Sequence, residues 1–139
     1  MKRYFLPKTR RLVGNKQFKA VLDRNLRCGN RVLSVFMREN GLGYRRLGVS
    51  VGKSCGSAVM RNRLKRLLRE AFRQSQDRIP AGFDYLLMIS PRWSKELNKS
   101  AEGKRALRQV DFEQIRLSLL HLVNKIVGQI SEAEESSGQ

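Results

Sequence analysis

Residues 53–73 read K-S-C-G-S-A-V-M-R-N-R-L-K-R-L-L-R-E-A-F-R, and this stretch decides the fold of the chain. At about 100° per residue, its apolar side chains fall on one stripe of a helix that begins near Gly56 and Ser57. The stripe comprises Met60, Leu64, Leu67 and Ala71, with Leu68 and Phe72 along one edge. The other faces carry the cations Arg61, Arg63, Lys65, Arg66, Arg69 and Arg73, offset only by Glu70. The stripe predicts packing against a sheet, and the cations predict a polyanionic partner.

The rest of the chain has the same charge bias. The whole chain of 139 residues contains 29 Lys and Arg against 12 Asp and Glu, which gives a formal net charge of +17. Such an excess favours nucleic acid or an anionic membrane surface as partner. No run approaches the ~18 apolar residues of a membrane span, so we expect no membrane partner. Two cysteines without a pairing pattern, Cys28 and Cys55, indicate reduced thiols in a cytoplasmic protein.

Hydrophobic periodicity predicts one compact α+β domain with a mixed sheet covered by helices. The predicted order is α-β-β-α-β-α: a helix from Lys16 to about Arg24, strands Arg31–Arg38 and Arg46–Val51, the basic helix, strand Phe83–Ile89, and a last helix from Asp111. The last helix has the stripe Ile115, Leu119, Leu122, Val123 and Ile126. We assign residues 1–14 to a basic arm, 15–130 to a single RNA-binding domain, and 131–139 to a disordered acidic tail.

Five local expectations accompany this order. Asn15 is expected to cap the first helix, and residues 25–30 to form a turn. The turn Asn40-Gly41-Leu42-Gly43 is expected to join the first two strands in an antiparallel hairpin. Residues 93–108 show no clear periodicity and are expected to be an extended or mobile connection, while Gly128 and Ile130 mark the end of the last helix.

The second predicted strand has an unusual face. Leu47, Val49 and Val51 point to one side, while the other side carries only Gly48, Ser50 and Gly52. A face of small residues allows another group to approach the backbone closely. That group is either a helix packed over the strand or a ligand in a groove, and the pattern alone leaves both interpretations open.

Side chains for catalysis are sparse. The single histidine, His121, has no neighbouring Cys or Asp cluster, and the acids form no paired motif for a metal. Ser54, Cys55 and Ser57 have no base near them in sequence, and Gly52-Lys53-Ser54 lacks the upstream glycine of a phosphate loop. We therefore assign no catalytic residue and no metal ligand to the chain.

Side chains for binding RNA are abundant. Arginine matches phosphate with two parallel hydrogen bonds, Asn62 is suited to a base edge or a sugar hydroxyl, and aromatic side chains such as Phe18 and Phe36 stack on unpaired bases or pack in a core. A non-catalytic RNA-binding or ribosomal protein has much the same composition and stays an alternative. A membrane-surface protein fits less well, because the narrow apolar stripe suits a core.

The run Lys53-x-x-Gly56-x-Ala58-Val59-x-Arg61-Asn62-Arg63-x-Lys65-Arg66 resembles the signature of the bacterial ribonuclease P protein component. The resemblance extends to Arg11-Leu12 with Asn15 and Phe18, to Asn30-Arg31 and to Gly48-x-Ser50-Val51. It covers residues 8–92 well and the last helix loosely.

This resemblance implies the protein subunit of an RNA-based endoribonuclease that removes the 5′ leader of precursor tRNA. The catalytic RNA performs the hydrolysis with bound Mg²⁺, so the implied partners are that RNA and precursor tRNA, without a small-molecule cofactor. The family fold also implies a left-handed crossover around the basic helix, against the usual right-handed rule.

The resemblance assigns two surfaces by position. Those implied to bind the catalytic RNA are Lys53, Arg61, Asn62, Arg63, Lys65, Arg66 and Arg69. Those implied to line a cleft for the single-stranded leader are Phe18, Leu22, Phe36 and Ser50. The chain departs from the family pattern at Ser54, where many members have a second lysine, at Leu22, where some have an aromatic, and in the length of 93–108.

Overall fold

The computed structural model describes residues 7–137, and within that range the chain forms five α-helices and four β-strands. They are α1 (Gly14–Arg24), β1 (Leu26–Gly29), β2 (Leu33–Glu39), β3 (Arg46–Ser50), α2 (Ala58–Gln74), β4 (Phe83–Ile89), α3 (Pro91–Leu97), α4 (Ala101–Arg108) and α5 (Phe112–Ser137). The six predicted elements are present in the predicted order, with β1, α3 and α4 in addition. The prediction of one α+β domain with a mixed, helix-covered sheet is confirmed.

The strands form one sheet in the order β1-β2-β4-β3. Strand β4 pairs antiparallel with β2 and parallel with β3, so β2 and β3 are not neighbours. The predicted hairpin between them is therefore wrong. The Asn40 side chain explains why, because its Nδ2 donates to Asp84 Oδ1 of the inserted strand at 2.9 Å. The parallel β3–α2–β4 unit is the implied crossover, and its hand stays a prediction.

The larger core lies between the sheet and helices α2 and α5. The helix α2 buries Leu64, Leu68, Ala71 and Phe72, while Met60 and Leu67 are half-buried at its edges. Phe72 meets Tyr85 of β4 edge-to-face, with ring centroids 5.3 Å apart. The predicted stripe of α5 is confirmed, since its five members are all buried. Burying a side chain of this size stabilises the fold by about 1.5–3 kcal/mol, so these residues hold α2 on the sheet.

Local signals misplace several boundaries. Helix α1 begins at Gly14 and its N-cap is Val13, not Asn15; the Val13 N–H donates to Gln17 Oε1 at 2.6 Å. Residues 26–29 form β1 where a turn was expected, because Asn25 takes the left-handed conformation (φ 53°) and turns the chain straight into the strand. Asp111 does cap the last helix, accepting from Gln114 N at 2.8 Å.

Two regions expected to be irregular are helical. Ser90 and Ser100 cap α3 and α4, because each side chain accepts a hydrogen bond from the backbone N–H three residues later. Residues 93–108 are therefore not an extended connection. Helix α5 passes through Gly128 and Ile130 and continues to Ser137, past the predicted boundary at residue 130. The predicted basic arm is described only from residue 7, where a 3-10 turn and a parallel bridge between Arg11 and Leu47 follow. The rest of that arm and residues 138–139 lie outside the described residues.

Candidate nucleic-acid interface

Helix α2 presents most of the predicted RNA-binding side chains on the surface opposite its buried stripe. Ser57 caps the helix by accepting from Met60 N at 3.3 Å. Asn62 and Arg66 are exposed, Lys65 and Arg69 are half-buried, and Lys53 is exposed on the 3-10 turn just before the helix. We call these five residues the cationic face.

The two arginines on either side of Asn62 lie beside the apolar stripe and are half-buried. Arg63 Nη2 donates to the carbonyl oxygen of Val110 at 2.7 Å, which ties α2 to the connection between α4 and α5. Within residues 7–137, Arg61 Nε and Arg63 Nη1 are buried N–H groups without an acceptor. Arg63 thus has a structural contact that its position in the signature does not reveal.

Cations accumulate where α2 meets the start of the described chain. Partial burial lowers the pKa of the Arg69 guanidinium, and the charge of nearby Arg11 lowers it further. Partial burial also lowers the pKa of the Arg73 guanidinium. The charge of Glu70 raises that pKa, whereas the charges of Arg11 and Arg69 lower it further. An anion bound here would relieve this repulsion.

The sheet face opposite the larger core forms a second surface. Cross-strand register places Arg27, Phe36, Leu86 and Gly48 side by side in one row across all four strands. The next row contains Gly29, Ser34, Met88 and Ser50. Residues that pair across strands point to the same side of a sheet, so both rows face α1. We call them the inner row and the outer row.

Helix α1 covers the inner row. Leu12, Val21, Phe36 and Leu86 form a small buried cluster, to which Phe18 and Met88 add. A Cβ placed on Gly48 would lie 2.7 Å from Phe18 Cε1 and 2.9 Å from Leu12 Cδ1. The absence of a side chain at Gly48 therefore allows α1 to pack on the strand, which is one of the two interpretations left open by the sequence.

The outer row stays accessible. Gly29 is exposed, while Ser34, Met88 and Ser50 are half-buried. Gly48 on the small-residue face of β3 thus receives the helix, whereas Ser50 stays partly accessible in the outer row, whose surface we call the groove. Sequence reasoning named Ser50 but missed Ser34 and Met88. Period-two alternation from Phe36 identifies Ser34, whereas Met88 requires the register of β2 and β3 with β4.

The four predicted cleft residues differ in accessibility. Phe18 is half-buried against Gly48, and Leu22 is 40% exposed on α1. Phe36 is only 6% exposed, and the Arg27 guanidinium lies over its ring at 5.8 Å from the centroid. Phe36 is therefore buried in the sheet face and is not free to stack on a base. Phe18 lies beside the inner row, and Ser50 lies in the outer row.

The structure also locates the side chains considered for catalysis and metal binding. Among residues 7–137, no three His, Cys, Asp or Glu side chains form a group that could hold a metal ion. Burial raises the pKa of the Cys55 thiol, which opposes formation of a nucleophilic thiolate. His121 is exposed on α5. No helix within the described range is both long and apolar enough to cross a membrane.

The fold defines a small, basic α+β protein in which a cationic helix and a partly accessible row of small residues lie on one sheet. A family model described as Ribonuclease P matches residues 6–127. The chain belongs to the ribonuclease P protein family.

Relatives and solved structures agree with this assignment. The chain is 37% identical over 118 residues to the ribonuclease P protein component of Thermotoga maritima, covering 85% of this chain and 92% of that one. It is 33% identical over 119 residues to the same component of Petrotoga mobilis, covering 86% and 92%. The solved T. maritima RNase P protein matches with a TM-score of 0.68 and 33% identity over 83% of this chain and 96% of that one. The Staphylococcus aureus RNase P protein matches with a TM-score of 0.65 and 29% identity, covering 86% and 96%.

Proposed function

We propose that this protein binds the catalytic RNA of ribonuclease P together with the single-stranded 5′ leader of precursor tRNA, and so assists Mg²⁺-dependent endonucleolytic removal of the leader. Hydrolysis belongs to the RNA in this proposal, and the protein contributes no catalytic side chain. The two unpaired cysteines, Cys28 and Cys55, suit a complex that works in the reducing cytoplasm.

One feature supports the proposal most directly: the domain has two different RNA-compatible surfaces. The cationic face carries long, charged side chains, which suits the phosphates of a folded RNA. The groove over the outer row is lined by small and apolar groups, Gly29, Ser34, Met88 and Ser50, which suits unpaired nucleotides whose bases are exposed. A protein with only the first surface would bind one RNA, whereas this arrangement allows it to hold catalytic RNA and leader together.

The described side chains do not fit a Mg²⁺ site held by the protein alone, because they form no carboxylate cluster. We therefore infer that the Mg²⁺ of the complex is bound mainly by the RNA. The contribution of the protein is electrostatic. The cations of α2 reduce the repulsion between phosphates of the folded RNA, which dissolved ions would otherwise have to screen.

Reconstitution tests the proposal. The full chain is mixed with ribonuclease P RNA and precursor tRNA at low Mg²⁺, and cleavage of the leader is measured against RNA alone. We expect a clear stimulation that fades as Mg²⁺ is raised. If the protein bound the RNA without stimulating cleavage, the enzyme-subunit proposal would fail and a non-catalytic RNA-binding protein would remain.

A substitution beside the groove tests the division between surfaces. Phe18→Ala removes the half-buried ring beside the inner row, which adjoins the groove, so we expect weaker binding of leader-bearing tRNA than of mature tRNA. Phe112→Ala is the matched control, because Phe112 is a half-buried aromatic that packs against the larger core on α5. Both variants lose packing, but only Phe18→Ala should change the discrimination. Equal discrimination by both variants would show that Phe18 serves packing alone.

A further inference from the structure

Helix α4 has a cationic surface of its own. Lys104, Arg105 and Arg108 are exposed on this helix, while Gly103 and Leu107 are buried. Within residues 7–137, none of the three cations forms an ion pair. The helix lies in the stretch 93–108, to which the family resemblance assigns no role. Its positive charge therefore needs an explanation from the structure.

Two hydrogen bonds attach the segment that contains α4 to α2. The hydroxyl oxygens of Ser54 and Ser94 lie 2.6 Å apart, and Ser94 is fully buried, so α3 is held on the turn that precedes α2. Arg63 Nη2 of α2 donates to the carbonyl oxygen of Val110, directly after α4, at 2.7 Å. The two departures from the family pattern, Ser54 and the length of 93–108, thus meet in one contact.

Helix α4 also packs tightly on the end of α3. A Cβ placed on Gly103 would lie 1.8 Å from the backbone oxygen of Leu97, and Gly103 N donates to Ser100 Oγ at 2.9 Å. The backbone of Lys104, the next residue, is therefore held in one position. Because a preorganised backbone lowers the entropic cost of binding, the cations of α4 are better placed to hold a partner than cations on a loose tail.

A depression of about 410 Å³ lies where α4 meets the start of α2. Its lining residues are Cys55, Gly56, Ser57, Met60, Asn98, Lys104, Leu107 and Arg108. No Asp or Glu is among them, whereas two are cations four residues apart on one helix face. Like charges at this spacing repel each other, and an anion bound between them would relieve the repulsion. The Ser57 hydroxyl and the Asn98 amide add groups that can donate hydrogen bonds, so the depression matches a phosphodiester.

The position of the depression favours folded RNA as its partner. The exposed side of α4 contains only alanine and charged residues, so it offers no apolar face to a membrane. Lys53 of the cationic face lies on the same turn as Ser54, so one RNA can contact that face and the depression together. The groove lies on the opposite face of the sheet, so the leader is not the expected ligand.

We propose that Lys104 and Arg108, with the Ser57 hydroxyl, bind the sugar-phosphate backbone of the catalytic RNA in this depression. The segment 93–108 then enlarges the RNA-binding surface of α2. The proposal rests on the proposed function, because the RNA that occupies the cationic face is the catalytic RNA. The site reads no base sequence, since its donors match phosphate oxygens.

The salt dependence of binding tests this site. The full chain is titrated with ribonuclease P RNA at several salt concentrations, and the variant Lys104→Gln with Arg108→Gln is compared with it. Each lost phosphate contact should flatten the slope of log affinity against log salt by about 1, so we expect a slope smaller by about 2. Affinity at low salt should fall roughly tenfold.

The matched control is Lys95→Gln with Lys125→Gln, which removes the same charge from exposed positions that do not line the depression. Its slope should stay close to that of the unmodified protein. An equal change in both double variants would reveal an effect of net charge alone and would overturn the proposal. Urea denaturation is measured for both, and neither should unfold more easily, because all four side chains are exposed.

Hydroxyl-radical footprinting of the catalytic RNA locates the contact. The unmodified protein and the control should protect a short stretch of RNA backbone that the Lys104 and Arg108 variant leaves open to cleavage. Identical protection by all three proteins would show that no RNA lies in the depression, and the proposal would be wrong.

Arg66→Ala separates this inference from the proposed function. If Arg66→Ala flattens the salt slope and the Lys104 and Arg108 variant does not, the cationic face binds the RNA and only the α4 site is wrong. If the unmodified protein does not bind ribonuclease P RNA, the proposed function fails and the site fails with it. If the double variant weakens only the binding of leader-bearing tRNA, the site belongs to the substrate and the proposal is overturned.

Discussion

Gly48→Ala tests how α1 is held against the sheet. The added Cβ would lie 2.7 and 2.9 Å from Phe18 Cε1 and Cζ, and 2.9 Å from Leu12 Cδ1. Carbon atoms pack at about 3.5–4.0 Å, so the overlap is about 1 Å. Overpacking of this kind costs about 1–3 kcal/mol. All three atoms are side-chain ends that can rotate, so we expect a loss of about 1–2 kcal/mol in the free energy of unfolding, or a fall in Tm of about 3–10 °C.

The assay is urea denaturation followed by circular dichroism, combined with binding of leader-bearing and mature tRNA. The ring displaced by the new methyl group moves toward the groove, so leader discrimination should fall as well. Gly52→Ala is the matched control, because Gly52 has φ −80° and its nearest neighbour would be Ser54 Oγ at 4.0 Å. That variant should keep or slightly raise the free energy of unfolding.

A double variant decides whether the reasoning holds. Two of the three closest atoms belong to Phe18, so Gly48→Ala should cost much less in a Phe18→Ala background than in the unmodified chain. The same cost in both backgrounds, or no cost in either, would refute the close approach of Phe18 to Gly48.

Three further predictions concern the buried ion pair, the buried phenol and the cationic face. Asp84, 1% exposed, accepts two hydrogen bonds from Arg46 at 2.8 Å, so Asp84→Ala should lower the free energy of unfolding in urea by about 3–5 kcal/mol; a loss below about 1 kcal/mol would contradict this. Burial raises the pKa of the Tyr85 phenol above its ordinary value of about 10. The contribution of this group to the free energy of unfolding is therefore complete below about pH 10, and it falls at higher pH because the phenol ionises first in the unfolded chain. Tyr85→Phe should flatten that alkaline fall, and should cost about 1 kcal/mol at neutral pH for the lost hydrogen bond to a carbonyl; an unchanged alkaline profile would contradict it. Arg66→Ala should reduce the salt slope of catalytic-RNA binding by about 1, whereas Lys125→Ala, an exposed cation on α5, should leave it unchanged; equal slopes for the two variants would argue against a phosphate contact at Arg66.

Elements with strong local signals were predictable from the sequence. The stripe of α2 with its Ser57 cap, the apolar β4 and the stripe of α5 each reflect the periodicity of a buried face, and the structure confirms all three. The capping serines Ser90 and Ser100 were equally readable, since Ser90 is followed by a proline at the first helical position. The lack of clear periodicity over residues 93–108 hides these two helices from pattern reasoning.

Strand pairing was not predictable from local signals. The turn after Asn40 has hairpin composition, yet the chain leaves β2 and returns two positions away in the sheet. What separates β2 from β3 is an insertion that arrives more than thirty residues later, when Asp84 reaches both Asn40 and Arg46. A turn sequence carries no information about such a distant strand.

The binding residues divide in the same way. Alternation along β3 was enough to predict the space at Gly48, and helical spacing was enough to place Asn62 and Arg66 on the surface. The outer-row neighbours of Ser50 depend on register, and the Arg63 contact with Val110 depends on where α5 begins. Both are tertiary relations, which residue spacing along one element does not determine.

The position of β4 between β2 and β3 also sets the order in which the protein can assemble on the ribosome. Until residue 89 has been synthesised, β3 has no partner strand beyond its single bridge with Arg11, and the apolar stripe of α2 has no complete surface to cover. The most cationic helix of the chain is therefore made before its own support exists, in a compartment rich in RNA. The addition of β4 to the sheet is therefore the step that fixes the orientation of the cationic side chains of α2. Because β4 makes long-range contacts, this step comes late in folding.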